Sequence, residues 1–235
     1  MKRSGHHAFM NWLCEQNGNI KFINNAIDGW KNKEYRQPVH SGGKTVVYGN
    51  GIDLCVNVED FDIADYQRYG MDKFNIHKNS NVKEIVFVRD FKNWLSSCLK
   101  RREYKYPHND VYTSLDQQFK NDRKEVKPSR IELYERQLAL FENNPQNFIL
   151  VSYDKWLNDV DYRKEVAEKL ELNFTDKGKD KMSSYGKGSS FTQMDVQDVS
   201  KLDTSNRYKL FEGDPEYQKL MDKYSRLNQK SEKYL

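Results

Sequence analysis

The stretch EIVFVRDFKNWLSSCLKRR, residues 84–102, changes character in mid-course. Residues 84–88 form a short, β-branched apolar run that stops abruptly at Arg89–Asp90. That is the pattern of a strand buried on both faces, as in a parallel sheet. Asp90 is a good N-cap, so a helix is expected over 91–101. Ser97 follows Arg89 by eight residues, about two turns into that helix, which returns its hydroxyl toward the strand end. A guanidinium and a hydroxyl converging there would make a phosphate clamp. The plainer alternative is a surface Arg89–Asp90 pair and an ordinary helical serine.

Working outward, FILVS at 148–152 reads as a second buried strand, and TVVY at 45–48 and IDLCVNV at 52–58 as strands separated by Gly49, Asn50 and Gly51. Helices are expected over 8–16, with Gly18 as terminator, and over 161–170. A further helix is expected over 129–142, where Ser129 and Glu132 make a capping box and Ile131, Tyr134, Leu138 and Phe141 mark one face. A C-terminal helix is expected within 214–235, with Asp214 as cap, Pro215 at its first position and a stripe of Tyr217, Leu220, Met221, Tyr224 and Leu227. Residues 103–128 are charged, aromatic and irregular, and read as a loop or lid with short helices; residues 175–206 read as loop. Strands alternating with helices predict one α/β domain over 1–235, a three-layer α/β/α arrangement with a mostly parallel central sheet. Ligands bind beyond the carboxyl ends of strands in such sheets, which directs attention to residues 2–8, 59–60, 89–97 and 153.

The 235 residues carry 39 Lys and Arg against 35 Asp and Glu, a net charge of +4. That surplus is too small for the basic stripe of a nucleic-acid binder, so no nucleic-acid partner is expected. Hydrophobic residues make up 37%, and no apolar run nears the roughly 20 residues of a membrane span. The first ten residues lack the apolar core of a secretory signal. Cys14, Cys55 and Cys98 are odd in number and widely spaced, without a CxxC pair. They predict free thiols in a reduced, cytoplasmic setting rather than a disulfide or zinc framework.

KRSGHHA, residues 2–8, runs directly into the first expected helix and has the make-up of an anion cradle. Gly5 lets the backbone approach a ligand, the helix N-terminus presents free N–H groups, Lys2 and Arg3 add charge, and Ser4, His6 and His7 add donors. A frayed basic terminus is the alternative. Neighbouring histidines do not share a helix face, so no metal is expected. SGGKT at 41–45 is not a nucleoside-triphosphatase lysine loop, because Pro38 stands where its first glycine belongs and a strand follows.

Taken together, these segments resemble the sulfotransferases that use 3′-phosphoadenosine 5′-phosphosulfate (PAPS), in a microbial or phage-type branch with an RSGHH loop. Arg3, Ser4, Gly5, His6 and His7, running into Ala8, match that family's 5′-phosphosulfate loop. Arg89, Asp90 and Ser97 match its R-[DN]-x(6)-S element for the 3′-phosphate. SYDKWL at 152–157 is similar to its strand-end Y-[ED]-x-L element through Tyr153, and GKGSSF at 186–191 to its late Gly-rich loop through Lys187, Gly188 and Ser189. The four segments stand in family order and span residues 2–191. The family's strand before the phosphosulfate loop is not read ahead of residue 2, which leaves that strand either reduced to almost nothing or cut off by a truncated start.

The resemblance implies a P-loop NTPase-like fold and transfer of a sulfuryl group from PAPS to a hydroxyl or amine, leaving adenosine 3′,5′-bisphosphate (PAP), without a metal. It implies that Lys2, Arg3 and His7 stabilise charge at the transferring group, and that Arg89, Ser97, Tyr153, Lys187, Gly188 and Ser189 hold the nucleotide. The acceptor's proton would pass to Glu59, at the end of strand 52–58, or to His77. A small-molecule or carbohydrate acceptor is expected beside the segment bearing Tyr104, Tyr106, Tyr112 and Phe119. The alternative is a non-catalytic or kinase-like protein of the same fold that binds nucleotides or polyanions, with the basic, aromatic LKRREYKY at 99–106 as its contact surface.

Overall fold

Two short strands, β3 (Ile85–Val88) and β6 (Ile149–Ser152), form the centre of the computed structural model. They pair in parallel, with Ile85 opposite Ile149 and Val88 opposite Ser152. The structure describes residues 5–16, 21–23, 54–56, 83–102, 112, 115–117, 119–120, 126–181 and 203–235. Lys2, Arg3, Ser4, Glu59, His77, Tyr104, Tyr106, Lys187, Gly188, Ser189 and the strand expected at 45–48 lie outside these residues.

Helix α1 (His6–Gln16) opens the described chain. Strands β1 (Lys21–Ile23) and β2 (Leu54–Val56) then pair in parallel as a second ladder, and β2 lies inside the strand expected over 52–58. After β3 come α2 (Phe91–Arg102), the two-residue strands β4 (Phe119–Lys120) and β5 (Val126–Lys127), and α3 (Arg130–Asn143). After β6 come α4 (Tyr153–Asn158), α5 (Val160–Lys169), α6 (Pro215–Lys223) and α7 (Ser225–Glu232). The α/β class therefore stands. The described strands make three separate two-stranded ladders rather than one wide central sheet.

Side chains alternate across a strand, so β3 serves two cores. Val86 and Val88 join Trp94, Leu95, Leu99, Ile131, Tyr134, Leu138, Tyr217, Leu220 and Leu227 from α2, α3, α6 and α7. Ile85 and Phe87 pack instead with Phe9, Trp12, Leu13, Val151, Tyr153, Trp156 and Val166 from α1, β6, α4 and α5. Helices thus cover both faces of the β3–β6 pair. Trp12, Trp94 and Trp156 are almost wholly buried, and rings of this size dominate core energetics.

The segment 103–128 has helical residues at Tyr112, Leu115 and Asp116, in keeping with the short helices expected there, and adds an antiparallel strand pair, Phe119–Lys120 against Val126–Lys127. Two local readings are corrected. The C-terminal segment is two helices, broken at Tyr224, whose φ of −109° and ψ of 25° leave the helical region. Tyr112 was expected beside an acceptor; its ring is instead buried in the first core, and its hydroxyl donates to Asp214 Oδ2 at 2.6 Å. No helix among the described residues is long and apolar enough to cross a membrane.

Candidate functional site

At the carboxyl end of β3 the chain turns from strand to helix through Arg89, Asp90 and Phe91, and each of their backbones is fastened by a different helix. The Arg89 carbonyl accepts from the Tyr134 hydroxyl of α3 at 2.5 Å. The Asp90 N–H donates to Asp154 Oδ2 of α4 at 3.1 Å. The Phe91 N–H donates to Ser231 Oγ of α7 at 3.1 Å. Asp90 Oδ2 caps α2, accepting from the Asn93 N–H at 3.3 Å and from Asn93 Nδ2 at 2.6 Å. A turn held this way fixes the direction in which Arg89 leaves it.

Arg89 is buried, with 2% of its surface exposed, so the surface-pair alternative for Arg89–Asp90 is excluded. Its Nη1 donates to Ser97 Oγ at 3.1 Å, the pairing that the eight-residue spacing predicts. Its Nη2 donates to the Thr204 carbonyl. Its guanidinium carbon lies over the Tyr153 ring, 5.1 Å from the centroid, within cation–π range.

The same ring meets the amino-terminal turn. Gly5 has φ +90°, in the left-handed region that side chains resist, and a Cβ built there would overlap the edge of the Tyr153 ring. Glycine is thus required twice at this position, by its dihedral and by the ring. The Gly5 carbonyl accepts from the Ala8 N–H at 3.0 Å as α1 begins. His6 is buried, His7 is half-buried, and their ring centroids lie 4.2 Å apart. Tyr153 itself, expected at a strand end, opens α4 directly, with Ser152 as N-cap.

Of the residues singled out from the sequence, Gly5, Tyr153, Arg89 and Ser97 therefore come together in one run of contacts, with His6, His7 and Ala8 on the adjoining first turn. Chemically the run offers a helix N-terminus at one end and a guanidinium with a hydroxyl at the other. Both are anion donors, separated by an aromatic ring.

Sequence reasoning missed Arg207. It lies just past a stretch read as loop, yet it is buried and its Nη1 donates to Ser97 Oγ at 3.0 Å. It sits in the 3-10 turn Arg207–Leu210, 110 residues from its partner, and no local pattern marks it. Asn93 was missed as well, although its place three residues after the cap Asp90 is a local signal.

Asp90 is the costly member of the neighbourhood. Burial pushes its carboxyl above the ordinary aspartate range, the nearby Asp154 carboxylate adds to the rise, and Lys92 and the Asn93 donors oppose it. Its Oδ1 is buried with no hydrogen-bond partner among the described residues.

Comparison of the chain with protein-family models, curated proteins and solved structures finds no match.

Proposed function

We propose that this chain is a PAPS-dependent sulfotransferase with a three-layer, P-loop-like fold. One observation carries the reading: Gly5 and Arg89, 84 positions apart in the chain, both border the ring of Tyr153, while Arg89 also holds Ser97. Two anion-binding ends about one aromatic ring apart suit a donor with a phosphosulfate at one end and a 3′-phosphate at the other.

In this reading the amide groups at the start of α1, with Lys2, Arg3 and His7, bind the phosphosulfate and stabilise negative charge on the bridging oxygen as its bond to sulfur breaks. The acceptor oxygen or nitrogen forms the new bond to sulfur. Its proton passes to Glu59 or His77, and PAP leaves with the electron pair of the broken bond. Arg89 and Ser97 hold the 3′-phosphate, and Tyr153 keeps the two ends in register. Lys187, Gly188 and Ser189 close over the nucleotide. A hydroxyl or amine of a small molecule or carbohydrate is the acceptor class.

Thermal unfolding with and without PAP tests the donor assignment. A ligand at a hundred times its Kd adds about 2.7 kcal/mol, which is a rise of several degrees in a chain of this size. Arg89→Ala and Gly5→Ala should each abolish the rise, whereas Lys219→Ala, on the exposed face of α6, should keep it. Wild-type protein whose melting temperature does not move in millimolar PAP is not a PAPS enzyme.

A further inference from the structure

Two carboxyl groups meet at the turn after β3, and each has one oxygen bonded and one bare. Asp154 Oδ2 accepts from the Asp90 N–H at 3.1 Å. Asp90 Oδ2 accepts from the Asn93 N–H at 3.3 Å and from Asn93 Nδ2 at 2.6 Å. Asp90 Oδ1 and Asp154 Oδ1 are both buried, and neither has a hydrogen-bond partner among the described residues. Two carboxylates brought together out of water repel, and two bare acceptors cannot satisfy each other. One proton removes both difficulties, because a carboxylic acid on one side donates to the carboxylate on the other. Asp90, 2% exposed, is the better holder of that proton: burial raises its carboxyl, and Asp154 adds to the rise.

Asp154 carries the ring with it. Tyr153 and Asp154 are consecutive residues in the first turn of α4, and the Tyr153 ring stands between Gly5 and the Arg89 guanidinium. Helix α4 is only six residues long, so packing rather than its own backbone bonds holds it. The other groups around the pair have settled charges or can be told apart. Burial pushes up the hydroxyls of Tyr134 from α3 and Tyr217 from α6, so both stay neutral. Arg89 and Arg207 keep their charge at every working pH. Lys92 of α2 opposes the rise at Asp90, and its Nζ lies 3.8 Å from Glu232 Oε1 of α7. Lys155 is the cation on α4, and His6 and His7 are the titratable groups beside Gly5.

We propose that Asp90 and Asp154 form a proton-operated latch on Tyr153: a proton bound at Asp90 Oδ1 and donated to Asp154 Oδ1 closes the first turn of α4 on the β3 turn, and its release loosens the seat of the ring. Closing takes one proton from solvent, forms one O–H···O bond and breaks no covalent bond within the chain. The latch stands on the fold alone. Its consequence for a ligand, tighter PAP binding in the protonated state, rests on the donor reading above, since proton and ligand then favour the same arrangement.

Carboxyl 13C and amide 15N–1H NMR of the full chain, from about pH 4 to about pH 8, tests the latch. In wild type the Asp90 carboxyl, the Asp90 N–H and the Tyr153 N–H should shift together, with a midpoint at least about one pH unit above the ordinary aspartate value. Asp154→Asn should lower that midpoint, because an amide offers Asp90 Oδ1 a donor and removes the like charge. Asp90→Asn should abolish the shared shift at Tyr153 and leave any effect of His6 or His7, whereas Glu232→Gln should keep the shift. An Asp90 midpoint at the ordinary value, or a Tyr153 signal that ignores it, overturns the latch. Isothermal titration with PAP then tests the coupling. The affinity of Asp90→Asn relative to wild type should be near one below the midpoint and at least about fivefold above it, a ratio in which the titration of PAP itself cancels. A constant ratio overturns the coupling. No PAP binding by a wild type with the raised midpoint supports the latch and overturns the donor reading. If Asp90→Asn does not fold, the wild-type and Asp154→Asn midpoints decide.

Discussion

Asp90 and Asp154 meet where the strand end of β3 touches the first turn of α4, and the cost of that meeting can be measured. Because burial raises the Asp90 carboxyl, the folded chain holds its proton at pH values where the unfolded chain has lost it. Stability from this residue therefore falls as pH rises from the ordinary aspartate range through the raised value. An asparagine in its place would keep an oxygen for the two Asn93 donors and is as good an N-cap as aspartate, while carrying no charge. Asp90→Asn should leave the urea midpoint at pH 7 equal to or above that of wild type, and wild type should close the gap on acidification. A variant clearly less stable at pH 7 would show that the buried charge itself is needed. The identity of Asp90 as a cap was legible from its place after a strand. Its burial was not, because burial depends on α3, α4 and α7 closing over the turn.

The best-marked element in the sequence is α3. Ser129 Oγ accepts from the Glu132 N–H at 3.0 Å, and Glu132 Oε2 accepts from the Ser129 N–H at 3.3 Å, so the S-x-x-E signature becomes a reciprocal cap. Ser129→Ala should cost about 1 kcal/mol, read as a lowered denaturation midpoint with an unchanged slope. No change would mean that α3 is held by its packing alone. The C-terminal stripe shows the opposite case. Its 3.6-residue period continues from Tyr217 to Leu227, and neither glycine nor proline interrupts it. The break at Tyr224 coincides with tertiary bonds: its hydroxyl donates to Asp116, and the adjoining Lys223 Nζ reaches the same carboxylate at 2.6 Å. Periodicity records which face is apolar and passes over a bend that keeps that face on the core.

Across the whole molecule, the segment after α5 ties the second core together. Thr175 gives its carbonyl to Trp12 Nε1 at 3.0 Å and its N–H to Gln16 Oε1 at 2.7 Å. Asp176 takes the buried Arg163 in two bonds of 2.7 and 2.9 Å, so α1 and α5 are joined through two adjacent residues. The Arg163 guanidinium holds the Asp176 carboxyl below the ordinary range, chiefly through the hydrogen bond. A lowered acid stabilises the fold above its unfolded range, and the gain is lost as pH falls through the folded value. Asp176 is 41% exposed, which screens the pair, so Asp176→Asn should cost about 1 kcal/mol at pH 7, or about 2–4 °C. The difference should vanish in acid, opposite in sense to Asp90. A melting difference that persists unchanged below the aspartate range would assign the effect to packing.

By itself the sequence determined what a few neighbouring residues decide. It set the buried strands at 84–88 and 148–152, the helices over 91–101, 129–142 and 161–170, the caps Asp90, Ser129 and Asp214, and the eight-residue interval that brings Ser97 back to Arg89, but not the helix Tyr153–Asn158. Period, capping and β-branching act over one or two turns of chain, so they can be read along it. Tertiary structure alone decided that the Tyr153 ring would sit between Gly5 and Arg89, that Asp90 would be buried against Asp154, and that Arg207 would reach Ser97 from 110 residues away. Those contacts exist because two cores close on opposite faces of one strand pair, and which distant side chains then meet is set by that packing, not by spacing along the chain.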